Sequence, residues 1–144
     1  MFSQPIRDAM EQRKLVTVPP ETTVRKAAKL MAKRNVGAVM VVDEQGLVGI
    51  FTERDAVFRV IARDVDSQTT RLVDVMTKAP ITVAPDKSFG YALLVMHENG
   101  FRHLPVIENG KLIGVISARN ALDPDLEEFV SESRRRDHIL RERT

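Results

Sequence analysis

Residues 49–56 read GIFTERDA and residues 114–121 read GVISARNA, the same phrase displaced by 65 positions in a chain of 144. The displacement runs through the rest of the chain. Thr17-Val18 falls on Thr82-Val83, Pro20 on Pro85, Ala27 on Ala92, Met31 on Met96, Val41 on Val106, Leu47 on Leu112 and Arg54 on Arg119. Upstream, IRDAM at 6–10 matches LVDVM at 72–76 with a shift of one more residue. A repeat of this extent fixes the architecture before any residue is read alone: two copies of one unit. A unit of about 60 residues buries little surface by itself, so the copies are expected to pack together.

Each copy has the same internal order. A lead ending in Thr-Val is followed by a proline turn and an amphipathic helix, with Val24, Ala27, Ala28, Met31 and Ala32 on one stripe. Phe89, Ala92, Leu93 and Met96 repeat that stripe. A β-rich run follows, GAVMVVD or RHLPVIE, then a turn at Gly46 or at Asn109-Gly110, the latter a strong hairpin signal. A second strand, LVGIFT or LIGVIS, leads into another helix. The order is β-α-β-β-α twice, an α/β chain of the α+β type. Residues 6–63 and 72–122 are expected as the units, 64–71 as a linker, and 123–144 as a C-terminal helix and basic tail. Asp123 is the expected N-cap of that helix, Pro124 its first residue, and Leu126, Phe129 and Val130 its short apolar face.

Composition narrows the chemistry. With no cysteine there is no disulfide framework and no thiolate site, which fits a reducing cytoplasm. MFSQPIRDAM has no apolar core of a secretory signal, and the longest apolar stretch, Val36 to Val42, is too short to span a bilayer. The three histidines, His97, His103 and His138, have no metal-ligand spacing, and neither a nucleophile elbow nor a phosphate-binding glycine loop is present. An enzyme is not expected. The net charge of +2 is concentrated in the tail, at Arg134, Arg135, Arg136, Arg141 and Arg143, which suits a solvated helix end or, less well, a nucleic acid.

The repeated phrase admits two readings. Thr52 or Ser117 stands where a strand becomes a helix, and a polar residue three positions on can bond back to it, as in a capping box. Alternatively, a hydroxyl and an arginine at a helix start suit a phosphate, and an acid beside them suits the vicinal hydroxyls of a ribose. A glycine precedes the hydroxyl by three positions in both copies, as where backbone must come close to something.

Together the tandem units, the V-D-V-M lead, the R-H-L-P-V strand, the G-K-L-I-G turn and the G-h-h-[ST]-x-x-[DN] ending resemble the cystathionine-β-synthase (CBS) domain pair, or Bateman module, over roughly residues 6–122. The resemblance implies two units related by a pseudo-twofold axis and joined through their sheets. It implies two clefts for adenosine compounds (AMP foremost, or ADP, ATP, NAD(H) or S-adenosylmethionine), with no catalytic cofactor. A homodimer and a separate effector protein are implied as partners. Carried over, the first cleft would use Asp55 for the ribose, Thr52 for ribose or phosphate, and Thr17, Val18, Gly37 and Ala38 around the base. The second would use Asn120, Ser117, Thr82, Val83, Arg102, His103, Leu104 and Pro105. Arg54 and Arg119 would face phosphates, each towards the other unit's ligand, with Arg71 a weaker candidate. Asn120 departs from the family's acid, which points to a second cleft that is weaker, different or empty, whereas Arg102 and His103, standing where the first copy has Gly37 and Ala38, make its entrance the more cationic and favour phosphates. Degenerate clefts in a purely structural dimerisation module are the alternative.

Overall fold

The computed structural model describes residues 2–10, 14–120 and 132–136. Of the C-terminal helix, Glu132–Arg136 are helical, while Asp123, Pro124, Leu126, Phe129 and Val130 lie outside the described residues.

Two long helices follow the repeat. Helix α2, Val24–Arg34, begins at Thr23, whose hydroxyl accepts from the Lys26 amide, and ends on Asn35 at φ 54°. Its copy α5, Phe89–Asn99, begins at Ser88 and ends on Gly100 at φ 72°. Val24, Ala27 and Met31 are buried on one, and Phe89, Ala92 and Met96 on the other. Ala28 and Ala32, expected in the stripe, are exposed instead. They sit on its flank, along a groove shared with Val57 and Arg119, and not against the sheet.

Strand β1, Thr17–Val18, runs parallel to β2, Ala38–Asp43, which forms a hairpin with β3, Gly46–Thr52. In the second copy β5, His103–Glu108, pairs with β6, Lys111–Ser117, and Val83 makes the parallel bridge to Val106. Asn109 (φ 52°) and Gly110 (φ 77°) turn this hairpin with both residues left-handed, as a type I′ turn requires. Both sheets are buried on both faces. Val39, Val41 and Phe51 pack towards the helices, while Ala38, Met40 and Ile50 meet Val115 of the other sheet. A bulge lies in each hairpin. Val41 pairs with Gly49 but Val42 with Leu47, and Val106 pairs with Gly114 but Ile107 with Leu112. The extra residues, Val48 and Ile113, reset the alternation at the same place in each copy.

The short lead helices, α1 at Ile6–Ala9 and α4 at Leu72–Val75, are exchanged. Leu72, Val75 and Met76 enter the core of Val39 and Phe51, whereas Ile6 enters the core of Phe89 and Leu104. After α4 the chain forms β4, Thr77–Lys78, on the outer edge of β3, giving the order β1-β2-β3-β4. Backbone carbonyls ahead of each lead occupy the start of the long helix it meets. Thr70 and Ser67 accept from Val24 and Arg25 at 2.9 Å each, and Gln4 and Phe2 accept from Phe89 and Gly90 at 2.7 and 2.9 Å. These amides have no partner within their helix, so the exchange satisfies them. Arg7 of α1 adds an ion pair to Glu108 of β5.

Gly49 and Gly114 find their reason here. A Cβ on Gly49 would meet Met76 Sδ and lie 2.8 Å from its Cε, and one on Gly114 would lie 2.8 Å from Met10 Sδ. The close neighbour foreseen at these glycines is the methionine of the exchanged lead.

Candidate functional site

The site is built on the junction of β3 with α3, Glu53–Asp55, and on the same junction in the second copy. The β-branched strand ends at Thr52, whose extended backbone (φ −117°, ψ 169°) lets its side chain turn back over the helix start. Thr52 Oγ1 accepts from the Asp55 amide at 3.3 Å, and Asp55 Oδ2 accepts from the Thr52 amide at 3.0 Å. This is a complete capping box, closed further by the Thr52 hydroxyl donating to Asp55 Oδ2 at 3.3 Å. The Glu53 amide donates to Gly37 O at 3.0 Å. The amides of Thr52, Glu53 and Asp55 are therefore all engaged, and the helix start offers fewer donors to an anion than the sequence suggested.

Asp55 is 6% exposed. Its Oδ1 takes two further partners, the Thr77 hydroxyl at 3.4 Å and Arg59 Nε at 3.6 Å. Arg59 lies on a π-helical stretch, Ala56–Ile61, that continues α3 and whose widened turn is marked by the Ala62 amide donating to Val57 O. In the second copy Asn120 Oδ1 accepts from the Ser117 amide at 2.8 Å and its hydroxyl at 3.2 Å, and the Ala118 amide donates to Arg102 O at 2.9 Å. The two junctions are built alike, with an amide in place of the acid.

The two arginines of the phrase cross between the units. Arg54 donates to Gly100 O at 3.3 Å, at the end of α5, and stacks over the Phe58 ring with 4.9 Å to its centroid. Arg119 lines a groove of about 400 Å³ with Asn35 and Gly37, at the end of α2. Asn35 and Gly100 are equivalent positions, so the crossing obeys the pseudo-twofold relation. A Cβ on Gly37 would meet Glu53 Oε1 and lie 3.2 Å from His103 Nε2. Gly37 is thus the space that lets an imidazole of one unit approach a carboxylate of the other. Burial lowers the His103 pKa, with Arg102 adding to the effect and Glu53 opposing it.

The other nominated residues divide. Val18, Val83 and Leu104 commit their side chains to the cores behind the sheets, Ala38 lies in the layer between sheets, and Pro105 is buried. Thr17, Thr82 and Arg102 are exposed. Arg71 is exposed and pairs with Asp74 on α4 at 3.8 Å. Glu53, Arg59 and Thr77 were not singled out from the sequence. Arg59 follows Asp55 by four positions, a helical spacing that could have flagged it, whereas Thr77 reaches Asp55 only through the exchanged lead. Among the described residues, no group of three or more His, Asp or Glu is placed to hold a metal ion, and no helix is long and apolar enough to cross a membrane.

A family model for the CBS domain matches residues 6–62 and 72–125. The chain belongs to the CBS-domain family. The chain is 44% identical over 109 residues to the uncharacterized 17.7 kDa protein in the bps2 3′ region of Acidianus ambivalens, an alignment covering 74% of this chain and 65% of that one. It is 40% identical over 110 residues to the CBS domain-containing protein CBSCBSPB5 of Arabidopsis thaliana, covering 76% of this chain but 20% of the larger protein. The CBS pair thus spans less than two thirds of these curated relatives. Among solved structures, a protein with CBS domains from Burkholderia ambifaria MC40-6 superposes with a TM-score of 0.77 at 36% identity, covering 85% of this chain and 91% of that one. The CBS domain pair of protein MJ0100, solved with 5′-methylthioadenosine and S-adenosyl-L-methionine, shares the fold at 22% identity with a TM-score of 0.73, covering 82% of this chain and 96% of that one.

Proposed function

We propose that this CBS pair is a regulatory module, not an enzyme, that takes an adenosine-containing ligand between its two units and passes the occupancy to a separate protein in the cytoplasm. The observation that carries the reading is the reciprocal crossing of Arg54 and Arg119 to the ends of α5 and α2, beside hydroxyl-and-acid or hydroxyl-and-amide junctions. Cations from one unit beside ribose-type acceptors of the other suit a nucleoside carrying phosphate. AMP is the foremost candidate, with ADP, ATP, NAD(H) and S-adenosylmethionine behind it. The protein MJ0100 complex lends the adenosine class support at the level of fold.

The proposed assembly is a homodimer. Val57, Phe58 and Ile61 are 48%, 54% and 69% exposed on the π-helical stretch, Arg54 ties Phe58 to the end of α5, and Leu94, midway along α5, is also exposed. A second copy would cover this apolar face.

One observation favours the alternative, a structural module with silent clefts. Both junctions are self-satisfied caps, and Asp55 already has donors on both oxygens. Variants separate the two. Asp55→Ala removes a charge-assisted bond to ribose of roughly 1.5–3 kcal/mol and weakens AMP binding about 10- to 100-fold. A silent module would lose thermal stability alone, with no AMP affinity to lose.

A further inference from the structure

The first copy of the phrase ends in a carboxylate and the second in an amide, and the difference isolates what the charge serves. The cap does not need it, because Asn120 Oδ1 takes the same two bonds from Ser117 that Asp55 Oδ2 takes from Thr52. What the first copy adds is the second oxygen. Asp55 Oδ1 faces the Thr77 hydroxyl at 3.4 Å and Arg59 Nε at 3.6 Å. The same guanidinium donates through Nη1 to the carbonyls of Met76 at 2.8 Å and Val75 at 3.4 Å, at the end of α4. In the sequence, Pro124 stands at the position equivalent to Arg59 and Glu11 at that equivalent to Thr77. Neither has a side-chain donor at neutral pH. Acid, guanidinium and hydroxyl come together in the first copy and are replaced together in the second.

We infer that Arg59 is a positioning residue that competes with a bound ribose for Asp55, and so ties occupancy of the first cleft to the seating of α4 and β4. The inference rests on the adenosine reading above. An ionised carboxylate has about four lone-pair sites, and three are already taken: by the Thr52 amide and hydroxyl on Oδ2 and by the Thr77 hydroxyl on Oδ1, beside which Arg59 Nε stands in ion-pair range at 3.6 Å. A ribose diol must displace some of these. The Thr52 amide bond is the shortest and belongs to the cap, whereas the two on Oδ1 are the longest and yield first. Arg59 then loses its counter-ion and Thr77 its acceptor, and the segment from Val75 to Lys78 loosens. Coupling is reciprocal, so whatever frees Arg59 and Thr77 from Asp55 strengthens the ligand. By sequence the second copy lacks the equivalent guanidinium and hydroxyl, so occupancy of its cleft is expected to leave α1 undisturbed.

The test pairs calorimetry with amide hydrogen exchange on the full chain, using AMP and S-adenosylmethionine as probes. In the wild type, the bound probe speeds exchange across residues 75–78. Arg59→Gln raises probe affinity about three- to tenfold, as loss of a competing charged donor should, and abolishes that ligand-dependent change. Thr77→Val, which removes only the hydroxyl, raises affinity by a smaller factor and covers the case in which Arg59→Gln unfolds. A merely structural Arg59 gives the opposite sign, because a misplaced Asp55 binds ribose less well. Binding with unchanged or lowered affinity in both variants, and no change in exchange at 75–78, overturns the coupling and leaves the adenosine reading standing. Absence of binding to the wild type overturns both.

Discussion

Gly49→Ala tests the exchange of leads on which the fold depends. The added Cβ meets Met76 Sδ and lies 2.8 Å from Cε and 3.0 Å from Cγ. Three successive atoms of one side chain are in the way, so turning the terminal methyl does not clear the space. Met76 is 5% exposed within the core of Leu72 and Phe51, which leaves it nowhere to retreat without moving the end of α4. Overpacking of this kind costs about 1–3 kcal/mol, or a fall in Tm of about 3–10 °C for a chain of this size. At Gly114 only Met10 Sδ, at 2.8 Å, is closer than 3.5 Å, and Met10 is half-buried, so Gly114→Ala should cost less than half as much. Met76→Ala alone costs about 2–5 kcal/mol through the cavity it leaves. Combined with Gly49→Ala, it removes the colliding atoms while the new methyl fills part of the cavity. The double variant should therefore be more stable than additivity allows by about 1–2 kcal/mol. Urea unfolding followed by circular dichroism, with equal m-values required across the set, measures the cycle. Additivity within about 0.5 kcal/mol would refute the packing of Met76 over Gly49. So would a larger loss at Gly114 than at Gly49.

Three further outcomes are expected. Burial depresses the His103 pKa, so between its folded value and the unfolded value near 6.5 the folded state binds fewer protons. Stability is then fully present above about pH 6.5 and is lost as pH falls through the folded pKa, a slope in a urea-midpoint-against-pH series that His103→Gln should flatten. Gly110→Ala forces a Cβ into φ 77° in the type I′ turn and should cost about 1–2 kcal/mol by urea unfolding, whereas Gly90, with an ordinary helical φ, carries no such backbone penalty. Ile61→Asp places a charge on the proposed dimer face and should shift sedimentation from dimer to monomer without lowering Tm in the monomer; an unchanged sedimentation coefficient would count against that face.

The repeat made much of this architecture legible. Asn109-Gly110 announces its turn because both residues readily take the left-handed backbone that a type I′ turn requires, and Thr52 with Asp55 announces its cap by spacing alone. Each is a local property of a few residues. The exchanged leads were not legible, because nothing in IRDAM or LVDVM says which sheet a four-residue helix will cover. Without that exchange, the phrase glycines could not be matched to Met76 and Met10, nor Thr77 to Asp55. Ala28 and Ala32 misled because alanine fits a helix stripe whether or not anything packs on it. The bulges at Val48 and Ile113 hide for a similar reason: the stretches around them, 38–42 with 46–51 and 104–107 with 112–116, carry no polar side chain, so the alternation that would register a slip is missing. Around the site, the phrase disclosed the junctions and the crossing arginines, while the place of Glu53 beside Gly37 and the bonds of Arg59 to the carbonyls of Val75 and Met76 come only from three-dimensional neighbours.

The titration to run first is calorimetric: AMP, ADP, ATP, NAD, NADH and S-adenosylmethionine, each against protein stripped of carried-over nucleotide. An adenosine sensor predicts micromolar binding of at least one member, weakened about 10- to 100-fold in Asp55→Ala. Stoichiometry then reports whether the Asn120 cleft is filled. No heat from any of the six, with the protein folded, would contradict the sensor and leave GIFTERDA and GVISARNA as two helix caps.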